Sequence, residues 1–401
     1  MAPRAAAVTD WDDRFSAYAR RVTPSPIRAL AAARRTGDDI AFGPGQPDPA
    51  TFPVAPFHAV LTEIFDDPPA AEAALQYASS QGDPALRAHI SRWMRADGAG
   101  VTADNILLTS GAQQGIHLAT AAFADPGNTA LVQAPTYPGT LQVLRAHGVV
   151  PGALGAAGGG VRPALVYAMA NFQNPTGASL SLEERRRLLA SVRELDTVLV
   201  EDDPYGALRY DGSSLPSLLA LDAENRPIEA ARTLYLGSFS KTIAPGLRLG
   251  WVAGPRAIIE KMALMKQAED LQAGSLVQAA LVRLLDRGVE PLIGSLTSVY
   301  RTRRDAMLEA LRTHFGNRGT WQPPQGGFFV WVTLPSEMDA TELLHEAAAQ
   351  GVTFVPGAAF AHDGSCANAL RLSFSIEPLD RIDEGVKRLA RAFDSCWRRA
   401  G

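Results

Sequence analysis

The sequence predicts an α/β protein with a large domain, in which helices cover both faces of a mostly parallel β-sheet, and a smaller α+β domain. Short apolar runs typical of buried strands alternate with helical patterns between residues 105 and 255. A long helical stretch follows, and then three more strand-like runs separated by helices. The chain has 401 residues, more than one domain usually contains, so we expect two.

Six runs in the middle of the chain have the composition of strands buried on both faces. They are ILLT (106–109), TALV (129–132), ALVYAM (164–169), TVLV (197–200), TLYL (233–236) and RLGWVA (248–253). Between the third and the fourth lies a predicted helix over 181–195, where Ser181 and Glu184 form a capping box and leucines recur at helical spacing.

The two ends of the chain have different patterns. Residues 1–35 could form a helix with a basic face, and an irregular loop rich in Pro and Gly follows. In the C-terminal section the expected strands are GGFFVWVTLP (326–335), GVTFVPG (351–357) and ALRLSFS (369–375). The run GALGAAGGG (152–160) is either a flexible loop or a short connection, and we expect no strand leading into it.

Composition excludes several classes of protein. The net charge of −4 argues against a general nucleic-acid binder. Cys366 and Cys396 provide neither a disulfide framework nor zinc-ligand spacing, which favours a reducing compartment. The sequence has no signal-peptide pattern and no membrane-spanning run, so we expect a cytoplasmic protein. Asp202 and Asp203 lack a further ligand at metal-binding spacing, so we expect no metal site.

Unusual polar residues follow four of the predicted strands. The loops are SGAQQG (110–115), NFQNPTG (171–177), EDDPYG (201–206) and SFSK (238–241). Because ligands bind at the carboxyl ends of parallel strands, we expect these loops to converge on one edge of the sheet. SGAQQG opens a helix, where free backbone N–H groups suit a phosphate, and Ser238, Ser240 and Arg248 would complete a phosphate cup.

The remaining polar residues of these loops match the other groups of one cofactor. Asp202 follows a buried strand and needs a cation, which a protonated ring nitrogen would supply. Asn174 and Tyr205 could bind a phenolate oxygen, and Lys241 could form a Schiff base with an aldehyde. A phosphate, a ring nitrogen, a phenolic oxygen and an aldehyde together describe pyridoxal 5′-phosphate, which is therefore the predicted cofactor.

With these loops, the sequence resembles the class I and II aminotransferases of fold type I, the aspartate aminotransferase superfamily. More narrowly, it is similar to the group that contains 2-aminoadipate and kynurenine aminotransferases and the aminotransferase-like part of MocR regulators. The resemblance runs from about residue 20 to the end. Besides the four loops, the motifs that carry it are LQYASSQGDPALR (75–87), QAPTYPG (133–139), SFSKTIAPGLRLGW (238–251), PQGGFFVW (324–331), VPGAAF (355–360) and LRLSFS (370–375).

The resemblance implies how the chain is divided and assembled. It implies a large cofactor-binding domain over residues 56–290 with a mostly parallel seven-stranded sheet, and a C-terminal small domain over 291–401. An N-terminal segment over 1–55 would contribute to the small domain and to the active-site entrance. The active unit would be a homodimer with shared active sites, acting on an amino acid and a 2-oxo acid.

The resemblance also implies a role for each matching residue. Lys241, Asp202 and Tyr205 would be catalytic: Lys241 forms the Schiff base and moves a proton, and Asp202 pairs with the ring nitrogen. The further cofactor-binding residues would be Ser110, Gly111, Ala112, Gln113, Tyr137, Asn174, Ser238, Ser240 and Arg248, with Tyr77 reaching the phosphate of the neighbouring subunit. Arg371 would bind the substrate α-carboxylate, with Asn174 and Gly43 or Gly45 close to the substrate.

Some positions depart from the family pattern. Ala112 stands where the family often has Ser, FGPGQPDP (42–49) replaces AGGLPDP-like residues, and the chain is shorter than expected between Val150 and Leu165. The reaction is therefore either amino transfer through two half-reactions of a ping-pong cycle or another reaction of a Cα carbanion, namely elimination, substitution, decarboxylation or oxidation by oxygen. Arg20, Arg21 and Arg28 either meet a substrate side-chain carboxylate or form a solvated helix face.

A protein that is not an enzyme is the third hypothesis. A ligand sensor of the MocR kind would carry a DNA-binding domain ahead of the aminotransferase-like part. The resemblance begins near residue 20, and the acidic balance disfavours DNA binding. We therefore expect an enzyme.

Overall fold

The strands of the computed structural model confirm the predicted α/β class. The structure describes residues 11–24, 38–155 and 162–400. Its strands are β1 (Ile40–Ala41), β2 (Ile106–Thr109), β3 (Thr129–Val132), β4 (Val150–Ala153), β5 (Leu165–Ala168), β6 (Val198–Asp202), β7 (Thr233–Ser238), β8 (Gly250–Ala253), β9 (Thr320–Trp321), β10 (Phe329–Thr333), β11 (Val352–Thr353), β12 (Val355–Pro356) and β13 (Ala369–Ser373).

Helices separate most of these strands. They are α1 (Ala17–Arg21), α2 (Val54–Asp66), α3 (Pro68–Leu75), α4 (Pro84–Ala96), α5 (Ala112–Phe123), α6 (Pro138–Ala146), α7 (Leu182–Glu194), α8 (Leu218–Ala223), α9 (Arg256–Glu269), α10 (Ser275–Asp286), α11 (Glu290–Ala310), α12 (Ala340–Ala349) and α13 (Leu379–Ala400). The capping box of Ser181 and Glu184 is present at the start of α7, as the sequence predicts.

The main sheet has seven strands in the order β2-β8-β7-β6-β5-β3-β4. All neighbouring strands are parallel except β8, which is antiparallel to both β2 and β7. The chain returns directly from β7 to β8 without a crossover helix, which is why this one strand is reversed. The other six strands run in the same direction, so their carboxyl ends lie on one edge of the sheet.

Strand β4 was not expected, and the prediction that no strand leads into the glycine run was wrong. The sequence of β4 is Val150-Pro151-Gly152-Ala153, and Val150 is exposed. Pro and Gly weaken strands and are tolerated at sheet edges, and β4 is the edge strand next to β3. The rest of the glycine run, from residue 156 on, lies outside the described residues.

The C-terminal section forms its own antiparallel sheet in the order β12-β13-β10-β9. Strand β1 pairs in parallel with β11, so the chain near residue 40 lies against the C-terminal section. Much of the predicted N-terminal helix falls outside the described residues, and the part that is described forms only the short, exposed α1. None of the described helices combines the length and the apolar composition that crossing a bilayer requires.

Candidate active site

Lys241 lies in the turn that follows β7. Its Nζ donates a hydrogen bond of 2.9 Å to the carbonyl oxygen of Gly45 and lies 5.9 Å from the centre of the Tyr205 ring. Burial lowers the pKa of this half-buried amine to about 8, and the positive charges of Arg371 and Arg248 act in the same direction. A considerable fraction of the amine is therefore neutral and nucleophilic near neutral pH.

Asp202 is the last residue of β6 and is buried. Its Oδ2 accepts a hydrogen bond of 2.6 Å from the hydroxyl of Tyr167, whereas its Oδ1 has no hydrogen-bond partner among the described residues. Burial raises the pKa of this carboxyl to about 7, although the Tyr167 hydrogen bond and the charge of Lys241 both lower it. A buried carboxylate oxygen without a partner is the arrangement expected for a site that a charged N–H group completes.

Asp203 follows Asp202 directly but has hydrogen-bond partners of its own. Its Oδ2 accepts hydrogen bonds from the Asn171 amide at 3.0 Å and from the Tyr235 hydroxyl at 3.2 Å. Successive residues of a strand point to opposite faces, so the two carboxylates are used separately. Among the described residues no group of three or more His, Cys, Asp or Glu is arranged to hold a metal ion.

The start of α5 and the loop before β8 form a pocket of backbone and cationic groups. Gly111 has a φ of 91°, a conformation that favours glycine, and a Cβ atom there would come within 2.7 Å of the Arg248 guanidinium. Arg248 donates to the carbonyl of Ser110 at 3.1 Å. The N–H groups of Ala112 and Gln113 lie in the first turn of α5, where helical partners are lacking.

A hydrogen-bond network around the buried Lys266 supports this pocket. Asp270 Oδ2 accepts hydrogen bonds of 2.8 Å from the Ser110 hydroxyl and from the Gln114 amide. The fully buried ammonium of Lys266 bonds to Asp270 Oδ1 at 2.5 Å and to Gln114 at 3.0 Å, and Gln114 accepts from the Ser110 N–H. The loop at Ser110 is thereby fixed on both its backbone and its side chain.

Ser238 and Ser240 flank the site on the lysine turn. Ser238 is buried at the end of β7, and its Oγ accepts a 3.1 Å hydrogen bond from the Ser240 N–H. Across the site the Tyr137 ring packs so closely on Gly139 that a Cβ at Gly139 would lie 2.4 Å from it. The Gln113 amide donates to the Gly139 carbonyl at 3.1 Å, which ties the start of α5 to this ring.

Arg371 is buried in β13 of the C-terminal sheet. It donates to the Asn174 side-chain oxygen at 2.7 Å and to the Gly43 carbonyl. Its guanidinium carbon lies 4.1 Å from the ring centre of Phe329 and 5.0 Å from that of Phe360. Burial lowers its pKa to about 10, so the guanidinium stays charged at neutral pH. A fixed cation between aromatic rings is suited to a carboxylate.

Tyr205 connects the two sides of the site. It is buried, and its ring packs edge-on against Phe328 and Phe329 at 5.4 Å and 5.7 Å. Burial raises the pKa of its hydroxyl, while Arg371 pulls that pKa down, so the hydroxyl is protonated at neutral pH and can donate a hydrogen bond.

Tyr77, a sequence-predicted site residue, is largely exposed, with a relative solvent accessibility of 78%. The backbone N–H of Ala78, next to it, donates to the side chain of Gln272, and Gln272 also bonds to Ser275. Gln272 therefore holds the backbone of the Tyr77 segment from within the same chain. Arg20 and Arg21 are exposed on α1, and Arg28 lies outside the described residues.

Several residues of the site were missed by sequence reasoning. Tyr167 lies in the run ALVYAM, where a tyrosine hydroxyl in a wholly buried strand requires a partner, and that signal points to a nearby acceptor such as Asp202. Lys266 and Asp270 are four residues apart on α9, but such spacing is common on exposed helix faces and does not indicate burial. Nothing in the sequence indicates that the rings of Phe329 and Phe360 flank Arg371.

Comparisons with known proteins agree with this geometry. The family model described as aminotransferase class I and II matches residues 40–389. An aromatic-amino-acid aminotransferase of Thermococcus litoralis is 36% identical over 95% of this chain and 94% of its own. A 2-aminoadipate transaminase of Thermus thermophilus is 35% identical over 95% of this chain and 97% of its own.

A solved structure adds the cofactor. The α-aminoadipate aminotransferase of Thermus thermophilus, complexed with N-(5′-phosphopyridoxyl)-L-leucine, has a TM-score of 0.88 and 34% sequence identity, covering 98% of this chain and 100% of that one. The residues present here fit such a group, because the buried Asp202 Oδ1 has no partner among the described residues and Lys241, whose pKa is lowered, acts on the same carboxyl. The chain belongs to the class I and II aminotransferases, and it is a pyridoxal-phosphate-dependent enzyme of amino-group transfer.

Proposed function

We propose that this aminotransferase exchanges an amino group between an α-amino acid and a 2-oxo acid in a site where Lys241, Asp202 and Tyr205 are the catalytic residues. The observation that carries the proposal is the Asp202 Oδ1, which is buried and has no partner among the described residues, in the same site as the Lys241 amine. Pyridoxal phosphate, when bound, supplies an electron sink for the pair that is left when the substrate Cα loses its proton.

The cofactor would be held by the residues around that carboxylate. Asp202 would keep the ring nitrogen protonated through its free oxygen, and Asn174 and Tyr205 would hold the phenolic oxygen. The phosphate would lie at the start of α5, a position supported by the glycine at 111 and the Arg248 cation beside it. The full phosphate set would be Ser110, Gly111, Ala112, Gln113, Ser238, Ser240 and Arg248, with Tyr137 on the face of the ring.

Lys241 would carry the proton. An amine with a pKa of about 8 is present in both its charged and its neutral form near neutral pH. It could therefore accept the proton from the substrate Cα and donate it to the cofactor carbon that is bonded to the amino nitrogen. Its hydrogen bond to the Gly45 carbonyl holds Nζ between the proposed cofactor-binding residues and the proposed substrate-binding residues. The same geometry favours amino transfer over a loss of the α-carboxylate, because Arg371 is available to bind that group.

Arg371 would bind the α-carboxylate of the substrate. The guanidinium is buried, charged, and held by two neutral oxygens, those of Asn174 and Gly43. Neither oxygen neutralises it, so a substrate carboxylate is the missing negative charge. We expect Gly43 and Gly45 to lie beside the substrate for the same reason.

The substrate class we propose is α-amino acids with a large side chain, aromatic or 2-aminoadipate-like, paired with 2-oxoglutarate or another 2-oxo acid as acceptor. The relatives support this choice, since one acts on aromatic amino acids and another on 2-aminoadipate by name. The test is a set of single half-reactions, in which the loaded enzyme is mixed with one amino acid at a time. Conversion of the cofactor to its pyridoxamine form with an equimolar 2-oxo acid supports the proposal. A product other than the 2-oxo acid, formed by another reaction of the Cα carbanion, contradicts the proposal.

We further propose a homodimer in which Tyr77 reaches the cofactor phosphate of the neighbouring subunit. The exposure of Tyr77 supports this, because its own chain leaves the ring uncovered while Gln272 holds its backbone in place. Sedimentation would measure the dimer. A mixed dimer would contain one Tyr77→Phe subunit and one Lys241→Ala subunit. If Tyr77 acts across the interface, the site that contains Lys241 keeps its cofactor affinity, because its Tyr77 comes from the other subunit.

We also propose a division into a cofactor domain over 56–290, a small domain over 291–401 and an N-terminal segment over 1–55 that joins the small domain. The pairing of β1 with β11 supports the last of these. A cytoplasmic location is proposed as well, and the free thiols of Cys366 and Cys396 support it. Fractionation of the cells that produce the protein would test the location.

A further inference from the structure

A buried lysine lies next to the proposed cofactor-binding residues without belonging to them. Lys266, on α9, has a fully buried side chain, and its ammonium bonds to Asp270 Oδ1 at 2.5 Å and to Gln114 Oε1 at 3.0 Å. Burying an ammonium costs free energy that its attraction to one carboxylate barely offsets, so stability alone does not explain the pair. Asp270 also directly follows the C-terminal end of α9, where the helix dipole disfavours a negative charge. The pair therefore indicates a function beyond holding α9 in place.

Asp270 joins this lysine to the loop at Ser110. Its Oδ2 accepts hydrogen bonds of 2.8 Å from the Ser110 hydroxyl and from the Gln114 amide. Burial would raise the pKa of this carboxyl, but hydrogen bonds from Lys266, Gln114 and Ser110 hold it below its ordinary value. The carboxylate is therefore ionised at neutral pH and can only accept, so the hydrogen of the Ser110 hydroxyl points to Asp270.

Every polar group of Ser110 has a partner in this arrangement. Its N–H donates to Gln114 Oε1 at 2.8 Å, its hydroxyl donates to Asp270, and its carbonyl accepts from the Arg248 guanidinium at 3.1 Å. Both donors of Ser110 are thus directed to acceptors other than a phosphate. What Ser110 contributes to the proposed phosphate site is the position of the loop and of Arg248, whose charge the phosphate would meet.

The carboxylate that orients this loop is itself an anion next to a proposed anion site. It lies one hydrogen bond away from Ser110, so an unpaired charge on it would repel a phosphate at the start of α5. The side chain of Asp270 is only 30% exposed, so solvent screens that charge in part. The Lys266 ammonium, bonded to the same carboxylate, neutralises it.

We propose that Lys266 and Asp270 form a positioning pair for the cofactor phosphate. Asp270 fixes Ser110 and, through the carbonyl of that residue, the Arg248 guanidinium. Lys266 supplies the counter-charge that allows a phosphate to bind beside the Asp270 carboxylate. The proposal rests on the phosphate site proposed above at the start of α5, and it adds two residues that act through Ser110.

Pyridoxal phosphate and pyridoxal, which lacks the phosphate, make a matched pair of probes. Their binding to the cofactor-free protein is measured by absorbance titration, so the result does not depend on turnover or on the proposed substrates. Lys266→Met keeps the bulk of the side chain and leaves the Asp270 charge unpaired. The Kd for pyridoxal phosphate should therefore rise at least about tenfold, and the Kd for pyridoxal should change by less than about twofold. Lys261→Met, on the exposed side of the same helix, is the control and should change neither.

A second substitution separates lost charge from lost packing. Lys266→Met combined with Asp270→Asn removes both charges, and the asparagine keeps an oxygen that can accept from Ser110. The Kd for pyridoxal phosphate should return to within about threefold of that of the unaltered protein. A combined variant that binds no better than Lys266→Met overturns the proposal, as does an equal loss of affinity for both probes or an unchanged Kd in Lys266→Met. If Lys266→Met does not fold, Lys266→Gln, which keeps a donor without the charge, takes its place with the same expectations.

Arg248→Ala distinguishes a failure of this proposal from a failure of the phosphate site on which it rests. This variant removes the proposed phosphate cation and should weaken pyridoxal phosphate at least about tenfold without weakening pyridoxal. If Arg248→Ala has that effect and Lys266→Met does not, only the role of the pair is wrong. If neither variant has it, the position proposed for the phosphate is wrong as well.

Discussion

The cofactor side and the substrate side that we propose for the active site are built in different ways. The cofactor side, residues 110–113, 202–205 and 238–248, consists of loops that directly follow β2, β6 and β7. The substrate side, residues 43–45 and 371 with the Phe329 and Phe360 rings, is assembled from segments far apart in the chain. Asn174 would belong to both sides, since it contacts Arg371 and would also hold the phenolic oxygen. The bond between Arg371 and Gly43 joins positions 328 residues apart.

This difference separates binding of the cofactor from choice of the substrate. The cofactor side is fixed by the buried strands of the seven-stranded sheet and by the Lys266 and Asp270 network. The substrate side depends on how the segment near residue 43 and the C-terminal sheet pack together. Changes in these segments can alter the substrate without disturbing the cofactor, and the predictions below test that independence.

Removal of the lysine at the junction of the two sides should have the largest effect. Lys241→Ala should lower the rate of the amino-acid half-reaction by about 10⁴-fold, since the group that we propose moves the proton is lost. The measurement is single-turnover conversion of the bound cofactor. Lys261→Ala, which removes an exposed lysine of α9, is the control and should react like the unaltered enzyme. Loss of less than tenfold in Lys241→Ala would rule out a proton-transfer role.

Removal of the charge at Asp202 should affect the cofactor side next most strongly. Asp202→Asn keeps the size of the side chain but cannot keep a ring nitrogen protonated, so the half-reaction should slow by about 10²–10³-fold. The KM for the amino acid should change by less than about threefold, because Arg371 is untouched. A large rise in KM with an unchanged rate would show that the carboxylate serves the substrate instead.

On the substrate side the matching change is Arg371→Lys. The lysine keeps the charge but loses the planar pair of donors, so the KM for the amino acid should rise by about 100-fold. Cofactor affinity, measured by titration of the cofactor-free protein, should stay within about twofold. Arg304→Lys is the control, since Arg304 is also buried but pairs with Asp211 away from the site. Weaker cofactor binding in Arg371→Lys would show that the two sides are not independent.

The same contrast explains which residues the sequence predicts. Loops that follow parallel strands meet at one edge by the geometry of the sheet, so Asp202, Tyr205 and Lys241 could be grouped from strand patterns alone. Contacts that depend on tertiary packing could not: nothing in the sequence places the Phe360 ring against Arg371 or the Lys266 ammonium behind Ser110. Strand β4 was missed because an exposed edge strand tolerates Pro151 and Gly152, which normally argue against a strand.

The pH dependence of cofactor loading tests the pKa values of Lys241 and Asp202 on the cofactor side. The pKa of Lys241 is lowered to about 8, so the amine becomes neutral as the pH rises through 8, and Asp202, with a pKa raised to about 7, becomes an anion as the pH rises through 7. Both changes favour loading, so its rate should rise by about tenfold between pH 7 and pH 9 and then level off. Absorbance after mixing with pyridoxal phosphate measures this rate.

A free lysine derivative is the control for that profile. Its amine has an ordinary pKa of about 10.4, so its reaction with pyridoxal phosphate should continue to accelerate above pH 9. A loading rate for the protein that rises in parallel with the free amine would contradict the lowered pKa of Lys241. The comparison also removes the titration of the cofactor itself, which is common to both reactions.

The smallest expected effect comes from Tyr167, which the sequence did not assign to the site. Its hydroxyl donates to Asp202 Oδ2 and holds the pKa of that carboxyl below the value that burial alone would give. Tyr167→Phe removes this bond, so the pKa of Asp202 should rise, and the lower limb of the loading profile should move to higher pH. At pH 7 the loading rate should fall by about threefold, and above pH 9, where Asp202 is ionised in both proteins, the rates should agree. A uniform decrease at every pH would indicate a packing defect instead of a lost hydrogen bond, because a change in packing has no reason to disappear as the carboxyl ionises.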